Sequence, residues 1–157
     1  MDGDMGYVIH SAVADAQPTA VLAAATTWPE FGGLWKALLD EVHREVHWFG
    51  DGRTGRNVML YLDNQPHVEV GVLLEHPARL DGRVTRSELP GGRVATTVHR
   101  GPYETVGAAH DAVLQWAAAH DERLPGPRWE IYGHWYSDPA LLETEVTYLL
   151  CPDPDVQ

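Results

Sequence analysis

The pattern of this chain is written twice. Apolar, β-branched runs at Tyr7–Ala14 and Thr19–Thr26 are separated by Asp15-Ala16-Gln17-Pro18. Phe31, Leu34, Trp35, Leu38, Val42 and Val46 then recur at three and four, which predicts an amphipathic helix entered through Trp28-Pro29-Glu30. Asn57–Leu62 and His67–Glu75 read as strands around Asp63-Asn64-Gln65-Pro66. The order starts again with strands at Gly82–Leu89 and Arg93–Arg100 around Pro90-Gly91-Gly92. A helix follows Gly101-Pro102-Tyr103, with Val106, Ala109, Val113 and Ala117 on one stripe. Beyond Leu124-Pro125-Gly126-Pro127, strands over Arg128–Tyr136 and Glu143–Leu150 flank Ser137-Asp138-Pro139. Pro29 finds its counterpart in Pro102, Tyr61 in Tyr132 and Glu69 in Glu145, at offsets that agree within a few residues.

Two strand-strand-helix-strand-strand units, residues 6–76 and 82–151, predict one α+β domain of duplicated ββαββ repeats. Their edges pair into an eight-stranded antiparallel sheet with both helices on one face. A pseudo-two-fold axis then leaves a groove between the helices. Residues 152–157, containing Pro152-Asp153-Pro154-Asp155, cannot extend a sheet and are expected to form a loose tail.

Charge and cysteine content exclude several function classes. Asp and Glu number 23 against 11 Lys and Arg, a formal net charge of −12. That balance repels a phosphate backbone or an anionic membrane surface, so neither nucleic acid nor membrane is expected as a direct partner. Cys151 is the only cysteine, which excludes an intrachain disulfide and Cys-cluster metal sites. Met1-Asp2-Gly3-Asp4 lacks the basic and apolar regions of a signal peptide, and a soluble cytoplasmic protein is the expectation. Six tryptophans supply large flat faces with one polar edge, suited to a core or to an aromatic ligand pocket.

The second half carries a recognisable set of motifs. Gly92-Arg93-Val94-Ala95-Thr96-Thr97-Val98-His99-Arg100 runs into Gly101-Pro102-Tyr103 and a helix with Leu114-Gln115-Trp116 late in it. Gly126-Pro127-Arg128-Trp129-Glu130-Ile131-Tyr132 opens the next strand, and Glu145-Val146 lies in the last. In order and spacing this set resembles the GyrI-like, or AraC-type bacterial effector-binding, domain, and the duplicated layout matches that fold. The resemblance implies binding of small aromatic or cationic molecules between the two helices. It also implies two alternatives found among stand-alone relatives: hydrolases that open strained cyclopropane-bearing alkylators, and gyrase-associated proteins that work through a protein partner. Many relatives carry a helix-turn-helix; here the duplicated unit takes up the chain, so no DNA reader is expected. After Tyr132 the spacing is longer than usual, with Gly133-His134-Trp135-Tyr136 before Ser137.

Several local patterns bear on chemistry. Gly50-Asp51-Gly52-Arg53-Thr54-Gly55 matches G-x-G-x-x-G, yet it follows a helix end and precedes a strand, the reverse of a dinucleotide loop, and reads as a turn. His43 and His47 are spaced as a helical metal pair, but Glu45 is misplaced for a metalloprotease motif, and solvated histidines are the better reading. No metal and no cofactor are expected.

The strand carboxylates are more informative. Glu130 alternates with Tyr132 and His134 on one strand face, opposite Trp129, Ile131 and Trp135. Glu145 and Glu69 hold matching positions in the two halves. Facing a groove, such acids would stand among rings, where burial raises a carboxylate pKa and a bound cation restores the charge; aromatic faces add cation–π attraction. Facing water or an arginine, they would be structural. The expected ligand-binding residues are Glu145, Glu130, Tyr132, Tyr103, Trp28, Trp35, Trp135 and Glu69, with Glu145 and Glu130 catalytic only in a hydrolase. Tyr103 is equally suited to packing its helix onto the sheet, and Trp35 and Trp116 to helix–sheet contact. Trp28 stands at the corner where it can cap the groove.

Overall fold

The computed structural model describes residues 6–153; the opening Met1–Asp4 and residues 154–157 of the expected tail lie outside the described residues. The first copy comprises β1 (His10–Ala14), β2 (Gln17–Ala25), α1 (Trp28–Glu45), β4 (Asn57–Tyr61) and β5 (His67–Leu73), with a short β3 (Val46–Trp48) after the helix. The second comprises β7 (Thr85–Leu89), β8 (Gly92–Arg100), α2 (Gly107–Ala119), β9 (Arg128–Tyr132) and β10 (Glu143–Leu149). Between them, β6 (Ala78–Leu80) pairs with β3 as a separate two-stranded sheet. The main sheet has eight strands in the order β1-β8-β10-β9-β4-β5-β2-β7, all antiparallel.

That order reads the same from either edge once each strand is exchanged for its copy. The duplication seen in the sequence is therefore a two-fold in space, with its axis between β4 and β9. Each copy gives its first strand to the other: β1 lies on β8, and β7 lies on β2. The two corners cross where Gly91 meets the backbone of Ala14 and Ala16. Registers agree with the repeat as well. Leu60 pairs with Glu69 in the first half, and Ile131 with Glu145 in the second.

Helix α1 begins where the chain supplies a cap. Thr27 is extended and its hydroxyl accepts the Glu30 amide hydrogen at 3.2 Å, Pro29 fits the first turn, and Glu30 meets the positive helix end. Thr27→Ala is expected to cost about 1 kcal/mol and Thr27→Ser almost nothing, read by chemical denaturation. The helix stops at Glu45, where Val46 turns extended into β3. The expected continuation of the helix through Val46 and His47 is thus corrected: His47 lies on a strand and does not share a helix with His43. Gly50–Gly55 is a turn, with Gly50 and Gly52 at φ of 103° and 71°, conformations that favour glycine.

Both sheet faces are buried. Phe31, Leu38 and Val42 of α1 pack on Val68, Val70 and Val72, while Ala109 and Val113 of α2 pack on Ala95 and Val146. On the opposite face Val58, Leu60, Leu73, Leu89, Val94, Trp129 and Ile131 form another cluster. Leu89 and Val94 come from opposite ends of the strand order, so the sheet curls into a half-barrel that fills its own hollow. Among the described residues, no helix is long and apolar enough to cross a membrane.

Candidate functional site

The axis brings Met59 of β4 opposite Glu130 of β9, and a cavity of about 1080 Å³ opens above them between the helices. Trp28, Phe31, Trp35 and Leu39 line it from α1, and Tyr103 and Val106 from the start of the second helical segment. Met59, Tyr61, Glu130 and Tyr132 form the floor, and Gly133, His134 and Trp135 one wall. A cavity of this size, in which seven aromatic side chains stand together with a set of polar and charged ones, is of the kind that takes a small organic molecule.

Glu130 is 5% exposed, so its partners decide its state. The Tyr132 hydroxyl donates to Oε1, the Tyr61 hydroxyl donates to the same oxygen at 3.2 Å, and His110 Nε2 lies 2.7 Å from Oε2. Burial pushes this carboxyl up, but the hydrogen bond and charge of His110 and the two tyrosine hydroxyls outweigh it. Glu130 is held below the usual carboxylate range. Burial together with the Glu130 charge pushes Tyr61 and Tyr132 upward, so both remain donors at neutral pH. Behind His110, its Nδ1 lies 2.8 Å from the Tyr148 hydroxyl.

The rings around this carboxylate are fixed on one another. Trp28 and Phe31 contact Tyr61 at centroid distances of 5.6 and 5.8 Å, and Tyr103 stands edge-on to Tyr132 at 5.6 Å. The Arg128 guanidinium sits 5.7 Å from the Trp28 ring centre and 5.8 Å from that of Tyr61, showing that these faces hold a cation. The far end of the cavity is polar. His43 bonds Asn57 at 2.8 Å, and Arg56 is held by Glu75.

Six residues singled out from the sequence, Glu130, Tyr132, Tyr103, Trp28, Trp35 and Trp135, line this one cavity. Trp135 does so because β9 ends at Tyr132, which frees the following residues from strand alternation. Glu145 and Glu69 are not among its lining residues. They lie on the opposite sheet face, where Arg56 reaches Glu145 at 3.0 Å and Ser87 donates to Glu69 at 2.6 Å. Sequence reasoning did not select His110, although it stands beside the Val106–Val113 stripe. Nor did it select Tyr61, which the repeat marks as the counterpart of Tyr132. Glu45, His47 and Asp81 bring three ligand-type atoms within 4.8 Å at the β3–β6 seam; Asp81 is already paired with Arg79 at 3.1 Å and with His47 at 3.0 Å.

Comparison with solved structures shows the same fold. The EcmrR C-terminal domain superposes with TM-score 0.70 at 15% identity, covering 95% of this chain and all of that one. In an EcmrR–DNA complex the match has the same TM-score at 18% identity and covers 95% of this chain, which spans 59% of that longer one. SAV2435, solved bound to tetraphenylphosphonium, gives TM-score 0.63 at 9% identity over 93% of this chain and 94% of that one. A structure described as a hydrolase from Listeria innocua gives TM-score 0.57 at 9% identity over 90% and 91% of the two chains. No curated protein sequence matches significantly. The model of the GyrI-like small molecule binding domain matches residues 14–149, and with that match this chain belongs to the GyrI-like small-molecule-binding family.

Proposed function

We propose that this chain senses or sequesters an aromatic, cationic small molecule in the cavity between α1 and α2, with Glu130 as its counter-charge. The observation that carries this reading is a buried carboxylate, held ionised on the floor of an aromatic cavity. His110 is the only basic side chain hydrogen-bonded to it among the described residues. A lipophilic cation would neutralise that charge and lie against lining rings that Arg128 does not cover, Trp35, Tyr103 and Trp135, each worth roughly 0.5–2 kcal/mol in cation–π attraction. SAV2435, which shares the fold, was solved with such a cation.

A hydrolase reading needs a carboxylate free to exchange a proton with substrate or water. Three donors already engage Glu130 and hold it ionised, which makes it a better counter-ion than general acid. Calorimetric titration with tetraphenylphosphonium and with triphenylphosphine oxide, a neutral relative, tests the proposal. Saturable micromolar binding of the cation, with the neutral compound at least about tenfold weaker, is the expected result. Equal affinity for both, or no binding of either, refutes it.

A further inference from the structure

His110 has no part in lining the cavity, yet it touches the charge that the cavity uses. It sits on α2, its side chain 18% exposed, with Glu130 on one nitrogen and Tyr148 on the other. A carboxylate can only accept, so Nε2 carries a hydrogen in either charge state of the ring. The proton that comes and goes is therefore on Nδ1. There it faces a hydroxyl, a group able both to donate to a bare nitrogen and to accept from a protonated one. Burial pushes Tyr148 up to about 12, so this hydroxyl keeps its own hydrogen. Both charge states of His110 are hydrogen-bonded with no heavy atom changing place, the Tyr148 O–H rotating toward a bare Nδ1 or away from a protonated one.

We propose, resting on the reading of Glu130 given above, that His110 is a specificity-determining residue which couples cation binding to release of one proton. With Nδ1 protonated, the imidazolium cancels Glu130 and the cavity floor is a neutral zwitterion that favours uncharged aromatic guests. With Nδ1 bare, the floor carries the full carboxylate charge and favours cations. A cation entering beside Glu130 expels the Nδ1 proton to solvent. His110 bonds Glu130 of β9 and Tyr148 of β10; Tyr61 of β4 and Tyr132 hold the same carboxylate, Arg128 and Asp111 act on Tyr148, and β8, on which α2 also packs, carries His99, bonded to Tyr7 and Thr105. Of these residue types and histidine, only histidine ordinarily changes charge between pH 5 and 8. His43, His76 and His134 also line the cavity and must be separated from it by experiment.

Calorimetric titration of the full chain with tetraphenylphosphonium from pH 5 to pH 8 tests this. Wild-type affinity is expected to rise by up to about tenfold per pH unit on the acid side and then level off, as linkage to one proton requires. Two buffers of different ionisation enthalpy should show close to one proton released per ligand on that acid side. His110→Gln keeps a donor for Glu130 and removes the titration, so its affinity should stay flat with pH. Triphenylphosphine oxide should bind wild type without the rising slope, a control that needs no variant to fold. A flat wild-type profile with the cation still bound overturns the role of His110 and leaves the cation reading standing. The wild-type slope persisting in His110→Gln does the same, assigning it to other groups. Failure of the cation to bind at any pH overturns both.

Discussion

Glu130→Gln is expected to weaken tetraphenylphosphonium binding by roughly 10- to 100-fold, with triphenylphosphine oxide changed by less than about threefold. The substitution keeps the shape of the side chain and an oxygen that accepts from Tyr61 and Tyr132, and it removes one buried charge. A hydrogen bond to a charged group contributes about 1.5–3 kcal/mol, and a buried charge contact of similar size sets the loss. Paired titrations at one pH read both numbers from the same protein. If both probes lose affinity together, Glu130 shapes the cavity and does not select for charge.

Gly71→Ala is expected to cost the fold about 3 kcal/mol, which for a chain of this size lowers Tm by roughly 6–12 °C. Gly71 lies in β5 between Val21 and Val58. A Cβ there would run into the Ala20 carbonyl and stand 2.8 Å from the Val21 Cα, both backbone atoms of the neighbouring strand. No rotamer relieves a clash with backbone, so the sheet itself has to shift. Thermal unfolding followed by circular dichroism measures the change; a loss below about 1 kcal/mol would show that β2 and β5 yield there.

Much of the architecture was legible because each copy obeys the same local rules. Pro29 and the spacing from Phe31 to Val42 mark one helix, and Pro102 with Val106, Ala109 and Val113 marks the other. The equivalence of Glu69 with Glu145 is visible in sequence and recurs in the strand register. What was hidden has definite physical causes. Val46 continues the helical spacing from Val42, so nothing local distinguishes it from helix; the pairing of β3 with β6, three residues each, draws it out. The exchange of β1 and β7 between copies is invisible because an edge strand reads alike on either partner.

The direction of the carboxylates was undecidable for a related reason. Strand alternation separates Glu130 from Glu145 only when one face is wet, and here the curled sheet buries apolar side chains on both. Glu145 and Glu69 therefore looked as suited to the groove as Glu130. His110 escaped notice because α2 is rich in alanine at Ala108, Ala109, Ala112 and Ala117–Ala119. Its buried and exposed sides differ little in composition, and a histidine between them carries no sign of the side it takes.

A crystal structure of the chain with tetraphenylarsonium, whose arsenic is located by anomalous scattering, tests most directly whether the seam between the two copies is a cation site. The prediction is a strong arsenic peak between α1 and α2 above the Met59–Glu130 pair, with aromatic ring centres within about 6 Å and Glu130 the nearest charged group. A peak confined to acids on the outer surface, with the cavity empty of the cation at saturating concentration, would contradict it.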